Sequence, residues 1–296
     1  MSLSVSIGII AYNEGKNIQK LLQSLEQQIL QTVIIKEIIV VSSGSTDKTN
    51  EIVRKFASKN KKIKLLVQKK RLGKSSAVNL FMAKSGSKIV ILMAADIILA
   101  PQTIENLVKP LRNSRVGIVG CHPIPVNDPQ SFMGYAAKTL WELHHQISLT
   151  KPKMGEVIAF RKIFTKIPVL SAVDEANIEP LIRGQGFKAI YAQGAIIRNK
   201  GPETIREFIA VRRRVYAGHL AAKHEYSYEV STLSGFKIFP YIFKNFSLSW
   251  KFFIWTPLII CLEIYSRFLG FLDYKYKLKK HTVWEITPST KQLSAD

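Results

Sequence analysis

The chain has 296 residues, 47% hydrophobic and 22% charged. That is enough apolar material for one large domain or two small ones, and too much for a disordered chain. Forty-three Lys and Arg against 21 Asp and Glu leave a net charge of +22, which draws polyanions: nucleic acid, anionic lipid headgroups or phosphorylated substrates. Two cysteines, Cys121 and Cys261, exclude a disulfide framework and a four-cysteine zinc site and suit a reducing compartment.

Met1 to Ser6 lacks a basic stretch followed by an apolar run, so no cleaved secretory signal is expected. Val5 to Ala11 is short, apolar and β-branched, as a strand buried on both faces should be. Asn13 is placed to cap a helix carrying Ile18, Leu21, Leu22, Leu25 and Ile29. Glu37 to Val41 is the second strand, and Ser45 is placed to cap the next helix, with Ile52, Val53 and Phe56 inward. Ile63 to Val67, Lys88 to Met93 and Val116 to Cys121 are further strands, separated by helices over Lys74–Lys84 and Gln102–Leu111. This alternation predicts a mostly parallel sheet with helices on both faces and a ligand beyond the carboxyl ends of its strands. A longer helix follows from Ser131 to Leu149, then a strand at Val157–Phe160 and a helix at Glu175–Gly184. A short strand at Lys188–Tyr191 precedes a helix from Glu203 to about Lys223, which carries Arg206 and the run Arg212-Arg213-Arg214.

Composition shifts near Phe236. Aromatics mix with lysines to Phe246, and Phe252 to Leu262 is apolar apart from Thr256 and Pro257. Glu263, Arg267 and the lysines from Lys275 to Lys280 follow. A membrane span needs roughly 20 mostly apolar residues. The unbroken run here is shorter, so an interfacial or re-entrant helix at a membrane surface is favoured over a full span. A helix buried on the globular domain is the alternative.

Single motifs say little. Arg71-Leu72-Gly73-Lys74-Ser75 ends like a P-loop, but Gln68 stands where the first glycine is needed. Lys74 remains a candidate phosphate contact at a helix start. Neither a metalloprotease His pair nor a nucleophile elbow is present. Asp174-Glu175 sits at a helix start, where capping is the plain explanation.

Their order is more informative. Tyr12-Asn13-Glu14 follows the first strand and Gly44-Ser45-Thr46-Asp47 the second. Gly73-Lys74, Asp96 after the fourth strand, Asp174-Glu175 and Arg212-Arg213-Arg214 complete the succession. From Ser4 to His219 the chain resembles the family 2 glycosyltransferases, inverting enzymes with the Rossmann-like GT-A fold. The resemblance implies an α/β fold with a mostly parallel central sheet, to which a C-terminal hydrophobic, amphipathic helical segment is added. It implies a nucleotide-sugar site lined by Tyr12, Asn13, Glu14, Ser43 and Asp47, with Lys74 and Arg214 on the diphosphate. Asp96 would be the second acid of an Asp-x-Asp motif and hold Mg²⁺ or Mn²⁺. Glu175 would be the catalytic base, with Asp174 beside it. Ser42 and Ser43 replace the two acids often found before Gly-Ser-Thr-Asp. Ala94 replaces the first acid of Asp-x-Asp, and Val211 and Val215 replace the Gln and Trp of the Gln-x-x-Arg-Trp motif. The last pair argues against a processive polymer synthase.

The expectation is therefore a transferase domain over 1–230 and a membrane-associating region over 231–296. It transfers a sugar to a hydroxyl acceptor, for which a lipid-linked acceptor suits the location. The enzyme would be membrane-associated, with its catalytic domain in the cytoplasm and no nucleic-acid partner. Two rivals stand: a non-catalytic nucleotide-sugar-binding relative, motivated by Ala94 and Ser42, and a basic nucleic-acid-binding protein, motivated by the charge. Against the second, the chain has neither zinc-finger spacing nor an RNP-like motif.

Overall fold

The computed structural model describes residues 2–168, 173–233, 240–241, 248–279 and 281–293. The expected alternation is present: β1 (Leu3–Ala11), α1 (Ile18–Glu26), β2 (Val33–Ser43), α2 (Thr49–Lys59), β3 (Ile63–Gln68), α3 (Lys74–Lys84) and β4 (Ile89–Ala94). There follow β5 (Ile97–Leu99), α4 (Thr103–Val108), β6 (Val116–Pro125), α5 (Phe132–Thr150), β7 (Val157–Arg161) and α6 (Glu175–Arg183). The chain continues through β8 (Lys188–Asn199), α7 (Ile205–Tyr226) and α8 (Trp250–Tyr276).

The sheet runs β3-β2-β1-β4-β7-β6-β8-β5. Pairs β1–β2, β1–β4, β2–β3 and β6–β8 are parallel, while β7 lies antiparallel between β4 and β6 and β5 antiparallel on β8. Both faces are covered, as the unbroken apolar runs require. Ile7, Ile9, Ile91 and Met93 pack with α1 and α4, and Val90, Leu92 and Ile158 pack with Phe81 of α3 and Ile178 and Ile182 of α6. Phe81 lies over Gly8, where an added Cβ would come within 2.5 Å of the ring, so β1 needs glycine there.

Several local expectations are corrected. Asn13 does not cap α1; its φ is +52°, a conformation that Asn tolerates better than most residues, and Asn17 begins the helix. Ser45 does not cap α2, because the Asp47 carboxylate accepts from the Thr49 N–H at 3.0 Å instead. Helix α4 stops at Val108 and tightens into a 3-10 turn over Lys109–Arg112, at Pro110. Strand β8 runs eight residues past its expected end, since its second half pairs with β6 and β5.

The C-terminal segment differs most. Helix α8 is continuous over 27 residues with Pro257 inside it, so it is long and apolar enough to cross a membrane by length and composition. It packs along α7. Arg212 meets Glu263 at 2.6 Å, Arg213 meets Asp273 at 2.5 Å, and Arg267 meets Glu263 at 2.8 Å. Its other side exposes Ile254, Leu258, Tyr265, Phe268 and Phe271. The aromatic stretch 236–246, apart from 240–241, and Lys280 lie outside the described residues.

Candidate active site

The loops after β1 and β2 are knitted together by their own polar side chains. Asn13 Oδ1 accepts the Thr46 N–H at 2.8 Å, and Asn13 N–H donates to Ser45 Oγ at 3.1 Å. Asp47 accepts the Gly15 N–H at 2.8 Å, and Thr49 Oγ1 accepts the Glu14 N–H at 2.8 Å. Asn13 and Asp47 therefore shape the loops, and neither lines the cavity that opens beside them.

That cavity, of about 740 Å³, lies at the carboxyl ends of β1, β2 and β4, where a sheet of this kind binds its ligand. Tyr12, Glu14, Ser43, Lys74, Asp96, Glu175 and Arg214 all line it. These seven of the ten residues singled out in the sequence come from six elements, brought together by the fold. Asp174 sits just behind the wall, and its carboxylate pairs with Lys74 at 2.7 Å. Lys74 opens α3 directly after Gly73, whose φ of +89° only glycine adopts freely. Arg71 stacks on Tyr12, 3.8 Å from the ring centroid. Ser43 Oγ and Arg214 Nε are buried without a partner among the described residues. They are unspent polar groups facing a ligand site.

The acids are crowded. Burial, then the charge of Asp96, pushes Glu14 up to about 8, although Lys291 pairs with it. Burial, then Asp96, pushes Glu156 up to about 7. Burial, then Asp174, pushes Glu175 up to about 8. Burial lowers Arg214 to about 10, and Glu175, Glu156 and Asp96 oppose that fall. Among the described residues no three His, Cys, Asp or Glu side chains form a ready-made metal cage. The donor chemistry nevertheless fits a hard cation: Asp96 offers a carboxylate at the end of β4, and the like-charged acids beside it gain from a neutralising charge. Mg²⁺ commonly takes one or two carboxylates and completes its shell from water and substrate phosphate.

These raised acids set a pH dependence of stability. Each holds its proton more tightly folded than unfolded, so the folded chain binds more protons between the ordinary 4.5 and about 8, and stability is lost as pH rises through that window. His144 and His219, buried and held well below 6.5, act oppositely only in the acid range. Lys153, lowered to about 8, acts oppositely only above it. The melting temperature is therefore expected to fall from pH 6.5 to pH 8. A rise across that interval would show that these acids are not desolvated.

The cavity wall also carries apolar side chains. Met133, Leu140, Leu143, Met154, Ile259 and Ile260 line it, together with Lys153, Arg212, Glu263 and Arg267. His219 also lines the cavity and is buried. Sequence reasoning missed Lys153, Arg71, Trp284 and Lys291 as lining residues. Lys153 and Glu156 lie in the irregular stretch before β7, where no periodicity marks them.

The model of glycosyl transferase family 2 matches residues 6–174. Glycosyltransferase AglE of Haloferax volcanii is 31% identical over 116 residues, 39% of this chain and 38% of that protein. A dolichyl-phosphate beta-glucosyltransferase of Trichomonas vaginalis is 35% identical over 108 residues, 35% of this chain and 32% of that protein. The chain thus spans about a third of the length of these curated relatives. A mannosyltransferase from Pyrobaculum calidifontis, solved with GDP-Man and Mn²⁺, shares the fold with a TM-score of 0.67 at 20% identity, over 94% of this chain and 89% of that one. The matched segment runs from β1 through Asp96 to Asp174, more than half of the chain, and so the chain belongs to glycosyl transferase family 2.

Proposed function

We propose that the chain transfers a sugar from a nucleotide-sugar donor to a hydroxyl acceptor, with inversion at the anomeric carbon and a divalent cation, Mg²⁺ or Mn²⁺, held by Asp96. The observation that carries this reading is one cavity lined together by two cations, Lys74 and Arg214, by Asp96 at the end of β4 and by a buried acid, Glu175. Support comes from the P. calidifontis mannosyltransferase with GDP-Man and Mn²⁺, and from a Mycobacterium tuberculosis glucosyl-3-phosphoglycerate synthase solved with Mn²⁺ and UDP, TM-score 0.51 at 18% identity.

In this reading Lys74 and Arg214 bind the diphosphate, and Asp174 keeps Lys74 in place. Tyr12, Glu14 and Ser43 line the nucleotide end, while Asn13 and Asp47 hold its loops. The acceptor oxygen forms the new bond to the anomeric carbon from the face opposite the diphosphate. Its proton passes to Glu175, a group with a pKa near neutrality, as a general base requires. The bond from the anomeric carbon to the diphosphate oxygen breaks, and that oxygen leaves with the electron pair. The cation, when bound, supplies Lewis-acid stabilisation of the departing charge. Glu175 is what separates this reading from a binding protein that performs no chemistry. A screen of UDP- and GDP-sugars by thermal unfolding tests it: one donor with Mn²⁺ should raise the melting temperature, and no response from any donor would contradict it.

The acceptor is lipid-linked in this proposal. Its support is the apolar side chains that α5 and α8 contribute to the cavity wall, Met133, Leu140, Ile259 and Ile260 among them, and the dolichyl-phosphate relative. Residues 1–230 are the transferase domain and 231–296 the region that attaches it to a membrane surface. Glu263 and Asp273 are committed to arginines of α7, so α8 is better suited to lie on the membrane than to cross it. Free cysteines suit a cytoplasmic active site. Purified protein is expected to float with anionic vesicles, and a variant with Ile254, Leu258 and Phe268 each changed to Asp to stay behind. Equal flotation of the two would remove α8 from the membrane contact.

A further inference from the structure

The C-terminal segment lies across the donor cavity. Thr282 O approaches Gly73 so closely that a Cβ there would meet it at 2.5 Å. Arg71 donates to Trp284 O. Ser289 N–H and Oγ bond to Glu207 at 3.1 and 2.7 Å, tying the segment to the start of α7. Asn17 donates to Thr290 O at 3.2 Å and accepts the Leu293 N–H at 3.0 Å. Lys291 reaches Glu14 and, at 3.1 Å, Tyr12 O.

At the centre stands Trp284. Its ring lies 3.8 Å from the Arg214 guanidinium and 4.7 Å from Lys74 Nζ. Its Nε1 is buried without an acceptor among the described residues, and so is Arg214 Nε beside it. Two adjacent buried N–H donors with nothing to donate to are rare, and a shared anionic acceptor satisfies both. No helical or strand periodicity in 281–293 accounts for the position of this ring.

We propose that residues 281–293 form a lid on the donor site and that Trp284 donates its indole N–H to the donor's diphosphate. This rests on the donor-site reading above. The lid is held mainly by polar contacts, with Leu293 its one fully buried side chain among the described residues. Such contacts can be exchanged for contacts to water and to a bound diphosphate, which lets the segment open. It hinges where α8 ends, at Lys277, whose φ is +55°. Lifting the lid admits the donor and releases the nucleoside diphosphate. Closing it completes the diphosphate's ring of donors and excludes water.

The test uses the full chain, with UDP and GDP as probes, each with Mn²⁺. Trp284→Phe keeps a ring against Arg214 and removes only the N–H. It is expected to weaken diphosphate affinity by about 10-fold or more, the scale of one hydrogen bond to a charged group. The melting temperature without ligand should not change. In the wild type, the diphosphate that binds should slow tryptic cleavage at Lys291, a readout independent of whether the variant folds. Equal affinity in wild type and Trp284→Phe, or cleavage indifferent to the diphosphate, overturns the lid. Tighter binding by the variant also overturns it, since the ring would then compete with the diphosphate. If the wild type binds neither diphosphate, the donor-site reading itself fails.

Discussion

Glu175→Gln is expected to leave the chain folded and able to bind donor while slowing transfer by about 10²-fold or more, the scale of lost general-base help. Gln keeps the size of the side chain and its place at the start of α6 but cannot accept the proton. The wild-type kcat/KM should rise with pH toward about 8, where Glu175 loses its proton, and the variant should lose that limb. Asp174→Asn separates the roles of the neighbours. Asp174 touches Lys74 at 2.7 Å and does not line the cavity, so its loss should raise KM for the donor more than it lowers kcat. A kcat collapse in Asp174→Asn alone would exchange the two assignments. Near-full activity in both would move the base to Glu156, which lines the same cavity and is also held protonated to about 7.

Asp96→Ala is expected to remove the dependence of donor binding on Mn²⁺, with affinity falling by about 100-fold or more, the several kcal/mol that a Lewis-acid contact supplies. The size of the effect follows from the neighbourhood. Ala94 and Ala95 precede Asp96 and have no oxygen in their side chains. Glu14 is bonded to Asn17 and, with residues 281–293 closed over the site, to Lys291, so it is not free to substitute. Calorimetric titration of donor with and without Mn²⁺ checks this. Unchanged, Mn²⁺-dependent affinity in the variant would place the metal elsewhere.

The β-α half of the fold was legible because burial on both faces writes itself into sequence as unbroken β-branched runs, as in β1, β2 and β4. Polar residues at the ends of those runs pointed to the cavity wall, since the topology gathers strand ends whatever their separation in sequence. Less was legible where contacts are made by backbone or by irregular chain. Strand β5 is three residues long, and the second half of β8 is held by its neighbours rather than by an alternating pattern. Helix α8 reads as interrupted at Pro257, yet packing on α7 and three arginine-carboxylate contacts carry it through. The tail sits against the site partly through carbonyls and amides and partly through single side chains, Trp284, Ser289 and Lys291, that no periodic spacing marks. The family motif has an aromatic beside its arginine on the helix. Here that position is Val215, and the ring against Arg214 comes from Trp284, 70 residues later.

The most direct measurement is release of nucleoside diphosphate by the purified chain, with Mn²⁺, a panel of UDP- and GDP-sugars and a membrane lipid extract as acceptor. One donor is expected to yield diphosphate only when the extract is present, with the sugar recovered on a lipid in the opposite anomeric configuration and with Glu175→Gln inactive. A donor that binds tightly yet is never turned over, with or without acceptor, would contradict a transferase and leave a nucleotide-sugar-binding protein.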